Sequence, residues 1–185
     1  VWHVTGKPDN RPDNWPYLSV RRCLDLRSIC FLKEAGKPLM DALNQEKILN
    51  LAKASRAQTP LSGDFIAATI SNPTCGDRVE VRLHLDADHV ITDASASVRG
   101  CALCEAGAGL FTSIAPGMKA TALASLQTDF TAWLANDNGP DNDSNNSAQI
   151  KPAMRDFTPV RAIRNRHKCL LLAFEAGTAA LTPDE

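Results

Sequence analysis

The sequence predicts an α+β domain in which a small three-stranded antiparallel sheet is packed with helices. Apolar and charged residues alternate over residues 78–85, which places the valines and leucines of this segment on one face of a strand. Residues 65–71 and 89–98 flank it closely and are also typical of strands. Three consecutive strands joined by short turns favour an antiparallel meander. Helical patterns on both sides of the meander complete the α+β assignment.

The predicted helices lie before and after the strands. An apolar stripe begins after Asp41 and ends in the turn-forming run 59–63. Beyond Gly100, alanine, glycine and leucine dominate a helix that ends before Pro116. A stretch rich in Asn, Asp and Ser over residues 136–149 indicates an exposed loop. Three further helices are predicted over residues 122–134, 154–165 and 168–180.

Composition limits the function classes. The chain has 185 residues and a formal net charge of −1, which gives no bulk electrostatic case for binding nucleic acid or a membrane surface. No segment reaches the roughly 20 consecutive apolar residues that span a bilayer. Charged residues interrupt residues 1–16, which do not resemble a secretory signal, so we expect a cytoplasmic location. In that reducing compartment, the six cysteines are expected to be metal-binding or reactive rather than disulfide-bonded.

Residues 1–40 differ from the rest of the chain. Prolines interrupt this segment repeatedly, and its only sustained apolar stretch covers residues 19–32. We therefore predict a poorly ordered N-terminal extension over residues 1–40 and a folded domain over residues 41–185. Cys23 and Cys30 lie in the extension, where we favour two thiols on the apolar face of a short helix over a pair of metal ligands.

Four potential metal ligands occur in three separate motifs. Residues 72–77, Asn-Pro-Thr-Cys-Gly-Asp, place Cys75 and Asp77 around a turn, while Cys101 follows a predicted strand and Cys169 lies near a predicted helix start. Side chains at such element ends can converge at one edge of a sheet, and thiolate and carboxylate groups are ligands of zinc and iron. The alternative for the first motif is a turn in which Asp77 caps the backbone and Cys75 is buried.

The surroundings of Cys169 also indicate reactivity. A helix N-terminus lowers the pKa of a nearby thiol, and the neighbouring Arg166 and Lys168 act in the same direction. Because a thiolate is both the metal ligand and the sulfur nucleophile, one arrangement serves both kinds of chemistry.

The order of these motifs resembles the NifU/IscU/SufU family of iron–sulfur cluster assembly proteins. The residues that carry the resemblance are 71–77, 98–102 and 166–169 together with the apolar helix that follows, and the similarity extends over residues 43–180. Lys168 directly before Cys169, where scaffold members have histidine, is similar to the SufU branch. The departures are Cys104 three positions after Cys101, and a poor match in the helix before Cys75.

The resemblance implies a fold, a ligand set and a partner. The implied fold is a NifU-like domain with a three-stranded sheet and packed helices. The implied ligands of zinc or of a transient 2Fe–2S cluster are Cys75, Asp77, Cys101 and Cys169. Cys75 would accept persulfide sulfur from a cysteine desulfurase, for transfer to apo iron–sulfur acceptor proteins or other assembly factors.

Two other residues and one charged series stay open at this stage. Cys104 forms a Cys-x-x-Cys pair with Cys101, which suits a redox or zinc site, but we favour inward packing on a helix. For His167 we favour a surface position over a ligand role. A basic series near the last helices is either a solvated face or a dock for an acidic partner: Lys151, Arg155, Arg161, Arg164, Arg166 and Lys168.

The functional hypotheses fall into different classes. The first is iron–sulfur cluster assembly, as a scaffold or as a zinc-dependent sulfur acceptor, with Lys168 favouring the second; whether the chain is an enzyme in the strict sense depends on that choice. The second class is a structural zinc module that only mediates protein contacts. The third is a degenerate, metal-free family member. A nucleic-acid role is disfavoured because no aromatic residues interleave the basic series.

Overall fold

A computed structural model of the chain describes residues 37–136 and 150–182. Residues 1–36, with Cys23 and Cys30, and most of the predicted loop 136–149 lie outside this range, so the division at residue 40 stays a prediction. None of the described helices has the length and apolarity needed to cross a bilayer. The elements are helices α1–α5 at Lys37–Ala57, Ala102–Ile114, Ala120–Ala135, Pro152–Arg155 and His167–Leu181; strands β1–β3 at Ile66–Ser71, Arg78–Leu85 and Ile91–Arg99; and 3₁₀ segments at Thr158–Ala162 and Arg164–Arg166.

The strands of the described residues form one antiparallel sheet in the order β1-β2-β3, as the sequence predicts. Val79 of β2 pairs with Ile70 of β1 on one side and with Val98 of β3 on the other. Val79, Val81 and Leu83 are completely buried, while the residues between them, Glu80 and Arg82, are half-buried. The predicted α+β class and its inner sheet face are therefore confirmed.

Helices α2 and α5 pack against the sheet, with α1 packed on α2 and α3 packed on α5. The ring of Phe174 in α5 lies 5.5 Å from Phe111 of α2 and 5.5 Å from Phe130 of α3, measured between ring centroids. Such aromatic pairs contribute about 0.5–1.5 kcal/mol beyond their buried area. A Cβ atom on Gly107 of α2 would lie 2.2 Å from the carbonyl oxygen of Leu170. Helices α2 and α5 are thus in direct backbone contact.

The prediction of one continuous helix over residues 154–165 is wrong. The chain forms instead the single turn α4 and the two 3₁₀ segments. Pro159 has no N–H to donate to the carbonyl of Arg155, and its ring would clash with that carbonyl in an α-helix. The hydroxyl of Thr158 donates to the same carbonyl at 2.6 Å, which satisfies the acceptor left without its helical partner.

Candidate metal centre

The β1–β2 connection is a tight turn built around the buried side chain of Asn72. The Asn72 N–H donates to the carbonyl of Asp77 at 2.7 Å, and the N–H of Gly76 donates to the carbonyl of Asn72 at 2.8 Å. The side-chain oxygen of Asn72 accepts the N–H of Thr74 at 3.1 Å, which forms an Asx turn. Gly76 has a φ of +76°, a conformation that glycine adopts without steric cost. These bonds fix the backbone on both sides of Cys75.

Three predicted ligands converge at this turn. The ligand atoms of Cys75, Asp77 and Cys169 all lie within 4.8 Å of one another. The sulfurs of Cys75 and Cys169, which are 94 positions apart in the sequence, are separated by 3.5 Å. Asp77 and Cys169 are buried, whereas Cys75 is exposed, so the alternative of a buried Cys75 is wrong. We call these three residues, together with Cys101, the thiol corner.

Cys101 joins the thiol corner through Asp77. It is the N-cap residue of α2, and its backbone N–H donates to Oδ1 of Asp77 at 3.3 Å. Its sulfur is not among the ligand atoms that lie within 4.8 Å of one another. A Cβ atom on Gly100 would lie 2.9 Å from Cγ of Asp77, so the glycine leaves the space that the carboxylate occupies. The fourth predicted ligand therefore lies at the edge of the group, beside the carboxylate.

Asp77 combines burial with incomplete hydrogen bonding. Burial alone would raise its pKa, but the thiols of Cys169, Cys75 and Cys101, together with the Cys101 N–H, lower the pKa below its ordinary value. Oδ2 of Asp77 is buried and has no hydrogen-bond partner among the described residues, although the thiols lie near it. A buried charged oxygen of this kind is costly unless a cation or a donor contacts it. Oδ2 is thus available to a metal ion.

The pKa of Cys169 is shifted in the direction opposite to the sequence prediction. Burial, followed by the contacts with Asp77 and Cys75, raises it to about 12. Arg166 does interact with the Cys169 sulfur, and this contact raises the pKa of the arginine. Burial of the Cys169 sulfur beside a carboxylate raises its pKa more than the exposed Arg166 guanidinium lowers it. The thiol form is therefore favoured until a cation replaces the proton.

The thiol corner fits a bound metal ion. Sulfur donors with one carboxylate oxygen form a ligand set that suits zinc and iron. The unpartnered Oδ2 of Asp77 and the space left by Gly100 are both consistent with a cation at this position. Metal binding would also stabilise the thiolate of Cys169, whose proton it displaces.

Two further candidates lie outside the thiol corner. Cys104 is 1% exposed and belongs to the hydrophobic core, where burial raises its pKa, so the packing prediction agrees with the structure. His167 is half-buried, and its Nε2 lies 3.1 Å from the carbonyl oxygens of both Val160 and Arg161. It therefore makes contacts within the chain, and is neither a fully exposed surface residue nor a member of the ligand group.

The predicted basic dock is only partly a surface. Arg161 is buried, with its guanidinium 4.9 Å from the ring centroid of Trp133, and it donates to the carbonyl of Asn136. Lys151 donates to the carbonyl of Ile114 at 3.1 Å. These two members of the basic series stabilise packing, so the series as a whole is not a docking face.

The role of Asn72 was not predicted from the sequence. Its side-chain nitrogen lies 3.8 Å from the sulfur of Cys169, while its oxygen holds the turn that carries Cys75. One side chain thus links two of the predicted ligands. The pair Asn72-Pro73 was the available signal, because Asn before Pro favours an Asx turn.

The sequence and the fold both match known proteins. Residues 43–159 match the family described as the NifU-like N terminal domain, a range that ends before Cys169. The zinc-dependent sulfurtransferase SufU of Bacillus subtilis (strain 168) is 30% identical over 95 residues, which are 51% of this chain and 63% of that relative. The chain thus matches less than two thirds of that relative's length.

Solved structures show the same fold. A nitrogen-fixing NifU-like protein (N-terminal) from Brucella abortus has a TM-score of 0.59 at 27% identity, with 73% of this chain and 89% of that one covered. FiSufU from Fervidobacterium islandicum AW-1 has a TM-score of 0.61 at 20% identity, with coverage of 74% and 95%, and shows similarity of the fold alone. The resemblance in the motifs is therefore confirmed over most of the described residues, and this chain belongs to the family of NifU-like N-terminal domains.

Proposed function

We propose that this chain is a zinc-dependent sulfur acceptor in iron–sulfur cluster assembly, acting in the cytoplasm. Cys75 receives sulfur from the persulfide of a cysteine desulfurase and passes it to apo iron–sulfur acceptor proteins or other assembly factors. The observation that best supports this proposal is the difference in exposure within the thiol corner. Cys75 is exposed, whereas Asp77 and Cys169 are buried, and the ligand atoms of all three lie within 4.8 Å of one another. The similarity to a zinc-dependent sulfurtransferase supports the same role.

Zinc would be held by Cys75, Asp77, Cys101 and Cys169. The bound ion supplies positive charge that keeps the ligating thiols deprotonated at neutral pH. Asp77 provides a harder oxygen donor than the three sulfurs, so it is the weakest ligand of a mixed set. A metal site with one weak ligand exchanges that ligand more easily than a site with four cysteines. Such exchange suits sulfur transfer better than permanent structural binding.

The exposed sulfur of Cys75 is the atom that can meet a protein donor. Its thiolate attacks the outer sulfur of the donor persulfide, the S–S bond of the donor breaks, and the donor cysteine leaves as a thiolate. Cys75 then carries the persulfide. The exchange needs no oxidant or reductant, because one S–S bond replaces another. Asn72 holds the turn that orients Cys75 during this exchange.

Incubation of the purified chain with a cysteine desulfurase and cysteine tests the proposal. We expect stoichiometric zinc and a mass increase of one sulfur atom, located at Cys75 by peptide mapping. Cys75→Ser should abolish this adduct. Cys104→Ala, which removes a thiol of the core, should retain it. Full transfer to the Cys75→Ser variant, or an adduct found only at other cysteines, would contradict the proposal.

A scaffold role is the second candidate, because two sulfurs 3.5 Å apart beside a carboxylate also suit a 2Fe–2S cluster. Anaerobic incubation with iron and sulfide separates the two roles. Visible cluster absorption that survives desalting would support a scaffold. Absence of a stable cluster, together with tight zinc and stimulated desulfurase turnover, would support sulfur acceptance. A chain that binds neither metal would fit the metal-free alternative.

Asp77→Ala separates transfer from a purely structural zinc site. In a structural module, loss of one ligand should lower both zinc affinity and thermal stability. In a transfer site, removal of the labile ligand should leave zinc or cluster bound as tightly as before, or more tightly, while sulfur transfer slows. Zinc titration and thermal unfolding of the same variant distinguish these outcomes.

A further inference from the structure

The outer face of the sheet carries two arginines that the proposed sulfur chemistry does not use. Arg78 of β2 and Arg99 of β3 are direct cross-strand partners, and both are exposed. Together with Glu80 and Ser97 they line a cleft of about 320 Å³. We call this the arginine cleft.

The arginine cleft has an excess of positive charge, because two arginines and one glutamate line it. Glu80 is already engaged, since its carboxylate lies 2.7 Å from Nε of Arg82. The side chains of Arg78 and Arg99 make no ion pair or hydrogen bond with another described residue. Like charges placed directly opposite each other destabilise a strand pair. The charges of the pair therefore do not stabilise the sheet, and an anion bound between the two guanidiniums would relieve their repulsion.

The cleft and the thiol corner lie at the same end of the sheet, where the chain passes from one to the other within a few residues. Arg78 follows the ligand Asp77, and Arg99 is separated from Cys101 by Gly100 alone. A protein segment bound between the two guanidiniums would thus hold its carrier at the end of the sheet where Cys75 is exposed. In the basic series over residues 151–168, by contrast, Lys151 and Arg161 are used in packing.

We propose that the arginine cleft docks an acidic segment, bearing Asp or Glu side chains, of the protein that donates sulfur to Cys75. This inference rests on the proposed function and names the surface by which the partner is recognised. Guanidinium groups bind carboxylates through paired hydrogen bonds, and two of them at one site favour a segment with more than one carboxylate. A single small anion at such an exposed site would be held weakly, because water and salt screen each charge.

The double variant Arg78→Gln/Arg99→Gln tests the proposal on the full zinc-loaded chain with a cysteine desulfurase. We expect the KM for this chain in sulfur transfer to rise about tenfold, and the dependence of KM on salt to flatten. Zinc content should match the wild type, because neither arginine is a ligand. The control Lys53→Gln/Lys119→Gln removes two exposed charges elsewhere. Lys119 pairs with Val90 at the end of the sheet opposite Arg78, a distance of about 25 Å along β2. This control should leave KM unchanged.

The outcomes separate this inference from the function on which it rests. If the wild type accepts no sulfur, the proposed function fails first. If it accepts sulfur and the arginine variant keeps both its KM and its salt dependence, the docking surface is wrong. Titration with inorganic phosphate adds a direct comparison. The proposal would be overturned if phosphate bound tightly and lost its affinity in the arginine variant while KM stayed the same. The cleft would then be a site for a small anion.

Discussion

The thiol corner and the helical interior each contain a cysteine that is 1% exposed, Cys169 and Cys104. Burial raises the pKa of both thiols. The sulfur of Cys169, however, lies 3.5 Å from that of Cys75 and 3.8 Å from the side-chain nitrogen of Asn72, whereas Cys104 belongs to the apolar core. Burial alone therefore does not identify a metal ligand. Cys169 differs from Cys104 in its polar neighbours, which make it the better candidate for a metal ligand.

The largest expected effect lies in the interior. Phe174→Ala removes a ring that packs against Phe111 and Phe130, and we expect the free energy of unfolding to fall by about 3–5 kcal/mol. Denaturant unfolding of the metal-free chain measures this loss. Phe65→Ala is the matched control: Phe65 is 38% exposed and lies under Arg82, so the expected loss is below about 1 kcal/mol. Equal losses in both variants would contradict the assignment of the core.

The second effect lies in the thiol corner. Cys169→Ser should lower zinc affinity by about 100-fold or more, because a weak hydroxyl donor replaces a thiolate. Competition with a chromophoric chelator measures the affinity. Cys104→Ala should leave zinc affinity unchanged, although it removes an equally buried sulfur. A comparable loss of affinity in both variants would place Cys104 among the ligands and remove the distinction between the two regions.

The smallest effect concerns pH. The pKa of Cys169 is about 12, so this thiol holds a proton at neutral pH that zinc must displace. Zinc affinity should therefore increase as the pH rises, by about tenfold per pH unit for each proton released. Chelator competition across the neutral range gives this slope. In Cys169→Ser the slope should be shallower by about one proton, whereas an unchanged slope would show that Cys169 is not deprotonated on binding.

Local patterns were sufficient to predict most of the fold. The alternation around Val79 and Val81 predicted a strand and its buried face, and short connections predicted the antiparallel order. The positions of Cys75 and Cys169 at element ends predicted two sulfurs that lie 3.5 Å apart, whereas the sulfur of Cys101, predicted from the same pattern, is not among the ligand atoms within 4.8 Å of one another. These inferences depend on periodicity and chain order, which a single sequence contains.

Contacts between distant residues could not be predicted in the same way. The stacking of Arg161 on Trp133 and the approach of Asn72 to Cys169 depend on how the helices pack, and no local pattern encodes that packing. The raised pKa of Cys169 has the same origin, since its burial beside Asp77 outweighs the nearby basic residues. Pro159, by contrast, was a local signal that should have interrupted the predicted helix.

The backbone contact at Gly107 determines which part of the site can move. It joins α2 to α5 at Leu170, directly after Cys169, and α2 itself starts directly after Cys101. Cys101 and Cys169 are therefore attached to two helices that pack as one rigid unit. At Gly107, where the helices cross, there is no room even for an added methyl group. Cys75 is carried by the separate turn after β1. Hydrogen bonds hold that turn as a second rigid part, which also carries Asp77. We therefore expect binding and release of an ion to change the distance between the turn and the helix pair, and not the shape of either one.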